Sequence, residues 1–189
     1  MLPGMVPICN IADRYRQRGY FMSLSMYQAS VPVFVRALTA LSGVLTKGVA
    51  FAAEAGIDLQ ELLATRLAPD MHPLLRQVQI ATDAAKGGAA RLAGIDIPSF
   101  PDEETTFDEL QARIAKTIDF VKSIPADQID GSEDRAITIK AGAHELNFTG
   151  QVCLLHFTLP NLFFHVTTAY DILRQKGAPI GKLDFLGGI

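Results

Sequence analysis

The chain has 189 residues, of which 49% are hydrophobic and 20% charged, and its formal net charge is −3. This composition is that of an ordinary globular protein, and the length suits one domain with a sizeable core. The negative charge argues against nucleic-acid binding, which depends on clustered basic side chains. The sequence contains two cysteines, Cys9 and Cys153. No disulfide framework is therefore expected, and a cytoplasmic location is favoured.

The chain is predicted to form one domain behind a short leader. Residues 1–21 show no sustained hydrophobic periodicity, and Pro3, Gly4 and Pro7 discourage regular structure there. We expect this leader either to be disordered or to precede the natural start of the protein. A much more regular pattern begins at Met22, so residues 22–189 are assigned to the single domain.

The first regular stretch predicts a long core helix. Ser25 and Gln28 have the spacing of a capping box. Apolar residues then recur at alternating steps of four and three, as in a helix that packs within a bundle. These residues are Tyr27, Val31, Phe34, Leu38, Leu41, Leu45 and Ala52. The stretch is apolar enough for a membrane span, but Arg36 and Lys47 interrupt it. We therefore expect no membrane contact.

Two further helices have the same periodicity. The second main helix is predicted to begin at Pro73, with His72 at its mouth, because the residue before a proline avoids helical geometry. Small residues on the apolar stripe, or seam, of this helix would allow another helix to approach closely. Gly88 is one of them. Thr106 and Glu109 form a second capping box, which opens the third main helix.

Before the closing helix, the spacing of apolar residues changes from a helical repeat to a repeat of two. Ile137 and Ile139 alternate with polar neighbours, and a second alternating run follows a predicted turn at Ala141 and Gly142. Residues 149–159 are predicted to form an apolar, helical lead-in to the closing helix. That helix is predicted to start near Pro160 and to stop before Gly177, a suitable left-handed terminating residue. The predicted fold is an all-α, antiparallel four-helix bundle with a small β-hairpin inserted before the last helix.

The closing helix also carries the main candidate site. Asn161 and His165 are one turn apart and lean toward its apolar face, and His72 could face them from the second helix. Imidazoles are good ligands for zinc, nickel or iron, whereas an Asn amide is a poor one. The pattern leaves two alternatives open: a metal site through His72 and His165, or a hydrogen-bonded core-edge His165 with His72 as an exposed cap residue.

Two other clusters in the sequence contain reactive or charged side chains. Cys153 and His156 are three residues apart, a spacing that could form a thiolate nucleophile on one helix face. Their apolar neighbours favour an inert, buried cysteine instead. The acidic residues at positions 102, 103 and 104 are expected to form a solvated loop. Phosphate loops, nucleophile elbows and Cys-x-x-Cys motifs do not occur in the sequence, so the residues identify no catalytic group.

Several segments resemble an uncharacterised bacterial family of domains of unknown function. They occupy residues 22–28, 70–74, 160–174 and 181–187, and the Pro-Asn-x-x-Phe-His segment that begins at Pro160 is the most specific. The likeness extends from Met22 to the end of the chain. That family is similar to the DinB/YfiT-like superfamily of four-helix bundles.

The resemblance implies a site as well as a fold. Members of the superfamily often bind a divalent metal through one His near the second helix and a His-x-x-x-His pair on a later helix. Several are thiol-dependent transferases or isomerases, and many form homodimers. By position, His72 corresponds to the lone histidine, and Asn161 with His165 corresponds to the pair with its first histidine replaced.

We therefore expect a cytoplasmic homodimer that binds a small ligand in an inter-helix cleft at His72, Asn161 and His165. The metal site at His72 and His165 is expected to be degenerate and to hold only background metal. One alternative is a metal-dependent thiol transferase or isomerase that uses these residues. Another is a structural homodimer without a small-molecule site. A nucleic-acid or membrane partner is not expected.

Overall fold

The computed structural model describes residues 24–141 and 144–187. The predicted leader, residues 1–21, lies outside the described residues. In chain order the elements are α1 (Met26–Ala55), α2 (Leu59–Ala64), α3 (Leu74–Ala93), α4 (Phe107–Ser123), α5 (Ala126–Ile129), β1 (Ala136–Ala141), β2 (His144–Thr149), α6 (Gly150–Cys153), a π-helical segment (Leu154–Thr158), α7 (Leu159–Gln175) and α8 (Lys182–Phe185). The four long helices α1, α3, α4 and α7 form the predicted bundle.

Local capping signals fix where two of the long helices begin. The Ser25 hydroxyl accepts a hydrogen bond from the Gln28 backbone N–H, and the Gln28 side chain accepts one from the Ser25 N–H, both at 3.2 Å. Thr106 and Glu109 make the same reciprocal pair at the start of α4. Each cap satisfies backbone donors that have no partner within the helix, and is typically worth about 1 kcal/mol. Both predicted capping boxes are confirmed.

The long helices pack in the cyclic order α1, α4, α3, α7, and their apolar stripes meet in one core. The largest fully buried side chains include Phe34, Leu38, Leu41, Leu45, Leu74, Leu110, Ile114 and Leu162. The predicted close approach at the α3 seam is confirmed at Gly88. A Cβ atom there would lie 2.4 Å from Thr158 Cγ2 and 3.3 Å from Phe34 Cζ.

The hairpin has the predicted alternation. Ala141 is the last residue of β1 and pairs with His144, the first residue of β2. The turn predicted at Ala141 and Gly142 includes Gly142, which lies outside the described residues. The buried residues Ile137 and Ile139 point toward the bundle, and Phe148 packs against Phe157 of the π-helical segment with 5.7 Å between ring centroids.

The helical lead-in predicted for residues 149–159 is confirmed, and it joins the closing helix without a break. Residues 150–175 form one continuous helical run, so Pro160 lies in the first turn of α7 without interrupting the helix. A proline lacks an N–H and its ring would clash with the carbonyl four residues earlier. The helix widens just before this position, where the Leu159 N–H donates to the Leu154 carbonyl, five residues back. The predicted stop is confirmed, since Gly177 has φ 101°.

Within the described part of the chain, two helical runs have the length and composition of a membrane span, Met26–Ala55 and Gly150–Gln175. In each, about half of the most apolar window (50% and 44%) is buried inside the fold. Core helices of globular proteins have the same character, so length and composition are weak grounds for a membrane span here.

Candidate functional site

A buried hydrogen-bond chain links α7 to the N-terminal end of α3. The His165 side chain is 8% exposed, and its Nδ1 atom lies 2.6 Å from Oε1 of Gln77. The other end of the Gln77 amide, Nε2, donates to the backbone carbonyl of His72 at 2.9 Å. Gln77 is itself 1% exposed, so its amide has little freedom to choose other partners. The predicted inward position of His165 is confirmed.

The position of Gln77 fixes the tautomer of His165. Only an amide N–H can donate to the His72 carbonyl, so the Gln77 carbonyl oxygen must face the imidazole. An oxygen acceptor at 2.6 Å requires Nδ1 to carry the proton. The neutral ring then has its lone pair on Nε2, which is the acceptor and ligand position.

The surroundings of His165 keep its ring uncharged. The pKa of His165 is lowered from 6.5 to about 4, chiefly by burial and to a smaller extent by electrostatic repulsion from His72 and Arg76. The Phe164 ring packs edge-on against the imidazole, with 5.2 Å between centroids. At neutral pH the site therefore presents a hydrogen-bond acceptor rather than a cation.

The three predicted site residues differ in exposure. His72 is exposed at the end of the loop before α3, and Asn161 is half-buried one turn before His165 on α7. Among residues 24–141 and 144–187, the one fully buried side-chain polar atom without a partner is Ser132 Oγ. Nε2 of His165 and the Asn161 amide make no hydrogen bond to the described residues. The fold thus links the His165 imidazole through Gln77 to the backbone of His72, with Asn161 one turn before His165 on α7.

The low pKa of His165 predicts a pH-dependent stability. Between about pH 6.5 and pH 4 the unfolded chain binds a proton at this histidine and the folded chain does not. The folded state therefore loses stability as the pH falls through this window. We expect the free energy of unfolding to be about 2 kcal/mol lower at pH 5 than at pH 7.5 on this account.

Urea unfolding at both pH values measures this difference, and His165→Gln supplies the control. Glutamine does not titrate, so this variant is expected to lose most of the difference between the two pH values even if it is less stable at both. An equal pH dependence in the variant and the parent would assign the effect to other groups.

The donor set does not fit a complete metal centre. It offers two imidazoles and a neutral amide, whereas a stable centre has three or four imidazole, thiolate or carboxylate ligands. Within the described part of the chain, no group of three or more His, Cys, Asp or Glu side chains could hold a metal ion. The predicted ligands His72 and His165 therefore have no third partner of the required type there.

The alternative nucleophile pair is not assembled. Cys153 is buried and His156 is exposed, so the two side chains do not share a face. Burial raises the pKa of the Cys153 thiol, while a contact with Thr158 at 3.8 Å and the charge of Arg91 act in the opposite direction. A raised pKa keeps the sulfur protonated at neutral pH, which is the wrong state for a nucleophile.

A buried ionic cluster lies on the α3–α4 side of the bundle, and the sequence patterns did not identify it. Arg113 is 3% exposed, and its guanidinium donates to Thr82 Oγ1 at 2.8 Å. It also pairs with Asp83 and Asp102 at 2.9 Å and with Glu104 at 3.0 Å. The acidic loop predicted to be solvated is in part an anchor, because two of its three carboxylates hold this arginine.

The charges of the cluster compensate one another. Burial alone would lower the pKa of Arg113, but its hydrogen bond with Glu104 and the charges of Asp83, Glu104 and Asp102 raise it overall. Lys86, also buried, pairs with Asp83 at 2.8 Å and lies 4.2 Å from the centroid of the Phe100 ring. The adjacent cavity of about 340 Å³ is bordered by Arg113 and these loop residues. Since the arginine already has its partners, the cluster is an anchor for the loop between α3 and α4.

Comparisons with known proteins agree with this architecture. The family described as "Domain of unknown function (DUF1993)" matches residues 26–186. A crystal structure described as a DinB family member protein from Shewanella denitrificans has a TM-score of 0.78 and 38% sequence identity, and the match covers 86% of this chain and 92% of that chain. A search of the curated proteins gives no match. The likeness supports an all-α bundle with a small hairpin.

Proposed function

The chain belongs to the DUF1993 family and is similar in structure to a DinB family member, and on that premise we propose that it binds a small polar ligand beside His165. The ligand lies between the loop before α3 and the first turns of α7. It donates a hydrogen bond to Nε2 of His165 and exchanges a second hydrogen bond with the Asn161 amide. His72 borders the same site. We also propose that the protein is cytoplasmic.

The observation that carries this proposal is the hydrogen bond between His165 and Gln77. It occupies Nδ1 and leaves the lone pair on Nε2, which makes no hydrogen bond to the described residues. An uncharged acceptor next to a free amide complements a molecule that has a donor and an acceptor close together, such as a primary amide. The same two groups complement a metal ion poorly, since one imidazole and one amide make a weak ligand pair. The thiol transferase alternative therefore has less support.

The nitrogen NMR signals of His165 test the proposal directly. Acetamide supplies both a donor and an acceptor, whereas acetone has a similar shape and only an acceptor. We expect acetamide to shift the Nε2 resonance in a saturable manner and acetone to leave it unchanged. Asn161→Leu is expected to weaken the acetamide effect while the resting Nε2 signal stays that of a Nδ1–H tautomer. Equal responses to both probes would contradict the proposal.

We also propose that two copies associate through exposed apolar side chains of the closing helical run. Val152 and Leu155, three positions apart and therefore neighbours on one helical face, form an exposed apolar patch, and Phe164 is exposed further along the run. Isolated apolar side chains are common on protein surfaces, but several on one helical run favour an interface. The proposal concerns the association alone and assigns no residue of the second copy to the ligand site.

Sedimentation velocity tests this association with a double variant. Val152→Glu together with Leu155→Glu places two like charges in the patch, and we expect it to convert a dimer into a monomer at micromolar concentration. Both residues are exposed and precede His165 by at least ten positions on the helical run, so the acetamide response is expected to survive. A monomeric parent protein, or a variant that sediments like the parent, would contradict this association.

A further inference from the structure

A second concave site lies between α1, α7 and the C-terminal segment. Its cavity has a volume of about 320 Å³, which falls at the small end of the range for small-molecule pockets. The lining consists of apolar side chains and a single guanidinium. These residues are Pro32, Val33, Arg36, Ala37, Phe163, Phe185 and Leu186. The three residues of the site proposed above are not among them, so the two sites are separate.

The guanidinium of Arg36 is oriented but only partly used. Its Nε and Nη2 atoms both donate to the Leu186 carbonyl, at 3.0 and 2.9 Å. Within residues 24–141 and 144–187, Arg36 takes part in no ion pair. A guanidinium has five N–H groups, so three of them are not used by the described residues. The Nη1 and Nη2 donors form the fork that matches a carboxylate.

The C-terminal segment, which forms one wall of the cavity, is held in place by its own contacts. Asp184 accepts a hydrogen bond from the Gly181 N–H at 2.7 Å and pairs with Lys47 of α1 at 2.5 Å. The Phe185 ring packs edge-on against Tyr170 of α7, with 5.9 Å between centroids. With the segment fixed at several points, little ordering is needed when a ligand enters, which favours binding.

From this arrangement we infer that the cavity binds a small monocarboxylate with an apolar body, such as an aromatic or branched-chain acid. The carboxylate pairs with the free fork of Arg36, and the apolar body lies between Phe163 and Phe185. Charge complementarity selects this class, because the lining supplies one positive charge and no negative side chain. A cationic ligand would meet the guanidinium, and a fully hydrophilic anion would leave the apolar walls unused.

A matched pair of probes tests the inference in the full chain. 4-Methylbenzoate and 4-methylbenzamide share a body, and only the first carries a charge. The methyl NMR signals of Val33 and Ala37 report occupancy of the cavity. We expect 4-methylbenzoate to shift both signals and to bind at least about tenfold more tightly than the amide. Equal affinities, or shifts confined to the His165 region, would overturn the inference.

Two variants separate the charge from the fold. Arg36→Gln can still donate to the Leu186 carbonyl and is expected to lose at least about tenfold in affinity for 4-methylbenzoate. Arg36→Lys keeps the charge without the fork and is expected to bind with intermediate affinity. Unchanged affinity in both variants would overturn the assignment of Arg36. If the Val33 and Ala37 signals instead shift with protein concentration alone, a second copy covers the cavity and the inference fails.

Discussion

Replacement of Arg113 by methionine is expected to lower the free energy of unfolding by about 3 kcal/mol. Methionine fills much of the space of the arginine but pairs with none of the carboxylates of Asp83, Asp102 and Glu104. Removal of one partner from a buried ion pair typically costs about 3–5 kcal/mol, since the remaining charge is left uncompensated. Asp83 and Asp102 keep some contact with water, with side-chain exposures of 38% and 37%, which places the expected loss at the lower end.

Urea unfolding at neutral pH measures this loss, and Arg76→Met is the matched control. Arg76 also pairs with Asp102, but both side chains are more than a third exposed, at 36% and 37%. Exposed ion pairs contribute about 0–1 kcal/mol, so the control is expected to stay within that range of the parent. Similar losses in the two variants would show that burial of Arg113 does not determine its contribution.

Much of the fold could be predicted because its signals are local. The capping boxes at Ser25 and Thr106 each involve residues three apart, so the sequence shows both partners at once. The apolar stripes of the long helices likewise repeat every three or four residues, and the alternation in the hairpin has a period of two. These patterns depend on backbone geometry, which is the same wherever the element is placed in the fold.

The candidate site was only partly predictable because its key contact is not local. His165 could be placed on a buried face from its helical spacing, but Gln77 lies 88 residues earlier in the chain. No pattern in the sequence joins them. Arg113 is a similar case: it is adjacent to the core residue Ile114, and its partner Asp83 lies on another helix. A charged residue on the apolar side of a helix was a usable signal, since burial of a charge requires a partner.

The sequence contained a signal for the widened turn before Pro160. The sequence places this proline inside a long apolar run, and the prediction used it as the start of the closing helix after a separate helical lead-in. A helix can instead continue through a proline when a π-type turn removes the clash with the preceding carbonyl. The choice between the two depends on whether the upstream residues are held in a helix by packing. Here Cys153, Leu154 and Thr158 are buried against the bundle, so packing favours the continuous helix.

Replacement of Gly150 by alanine is expected to destabilise the protein by about 3 kcal/mol. A Cβ atom at this position would lie 1.9 Å from the backbone oxygen of Ser132, far inside van der Waals contact. The oxygen cannot easily retreat, because it accepts a hydrogen bond from the Arg135 N–H at 3.1 Å. The neighbouring Glu133 carbonyl is tied to the Gln151 N–H at 2.9 Å. Overpacking against backbone of this kind costs about 1–3 kcal/mol or more.

Gly43→Ala is the control for this substitution, and urea unfolding compares the two variants with the parent. Gly43 lies within α1, and a Cβ atom there would meet nothing within 4 Å. Alanine is favoured over glycine inside a helix, so this variant is expected to gain up to about 1 kcal/mol. Gly150 begins the helical run that carries His165, and its alanine variant is therefore also expected to disturb the His165 nitrogen signals. Equal free energies of unfolding in the two variants would mean that the loop at Ser132 moves aside without loss of stability. The closing helix would then not depend on that contact.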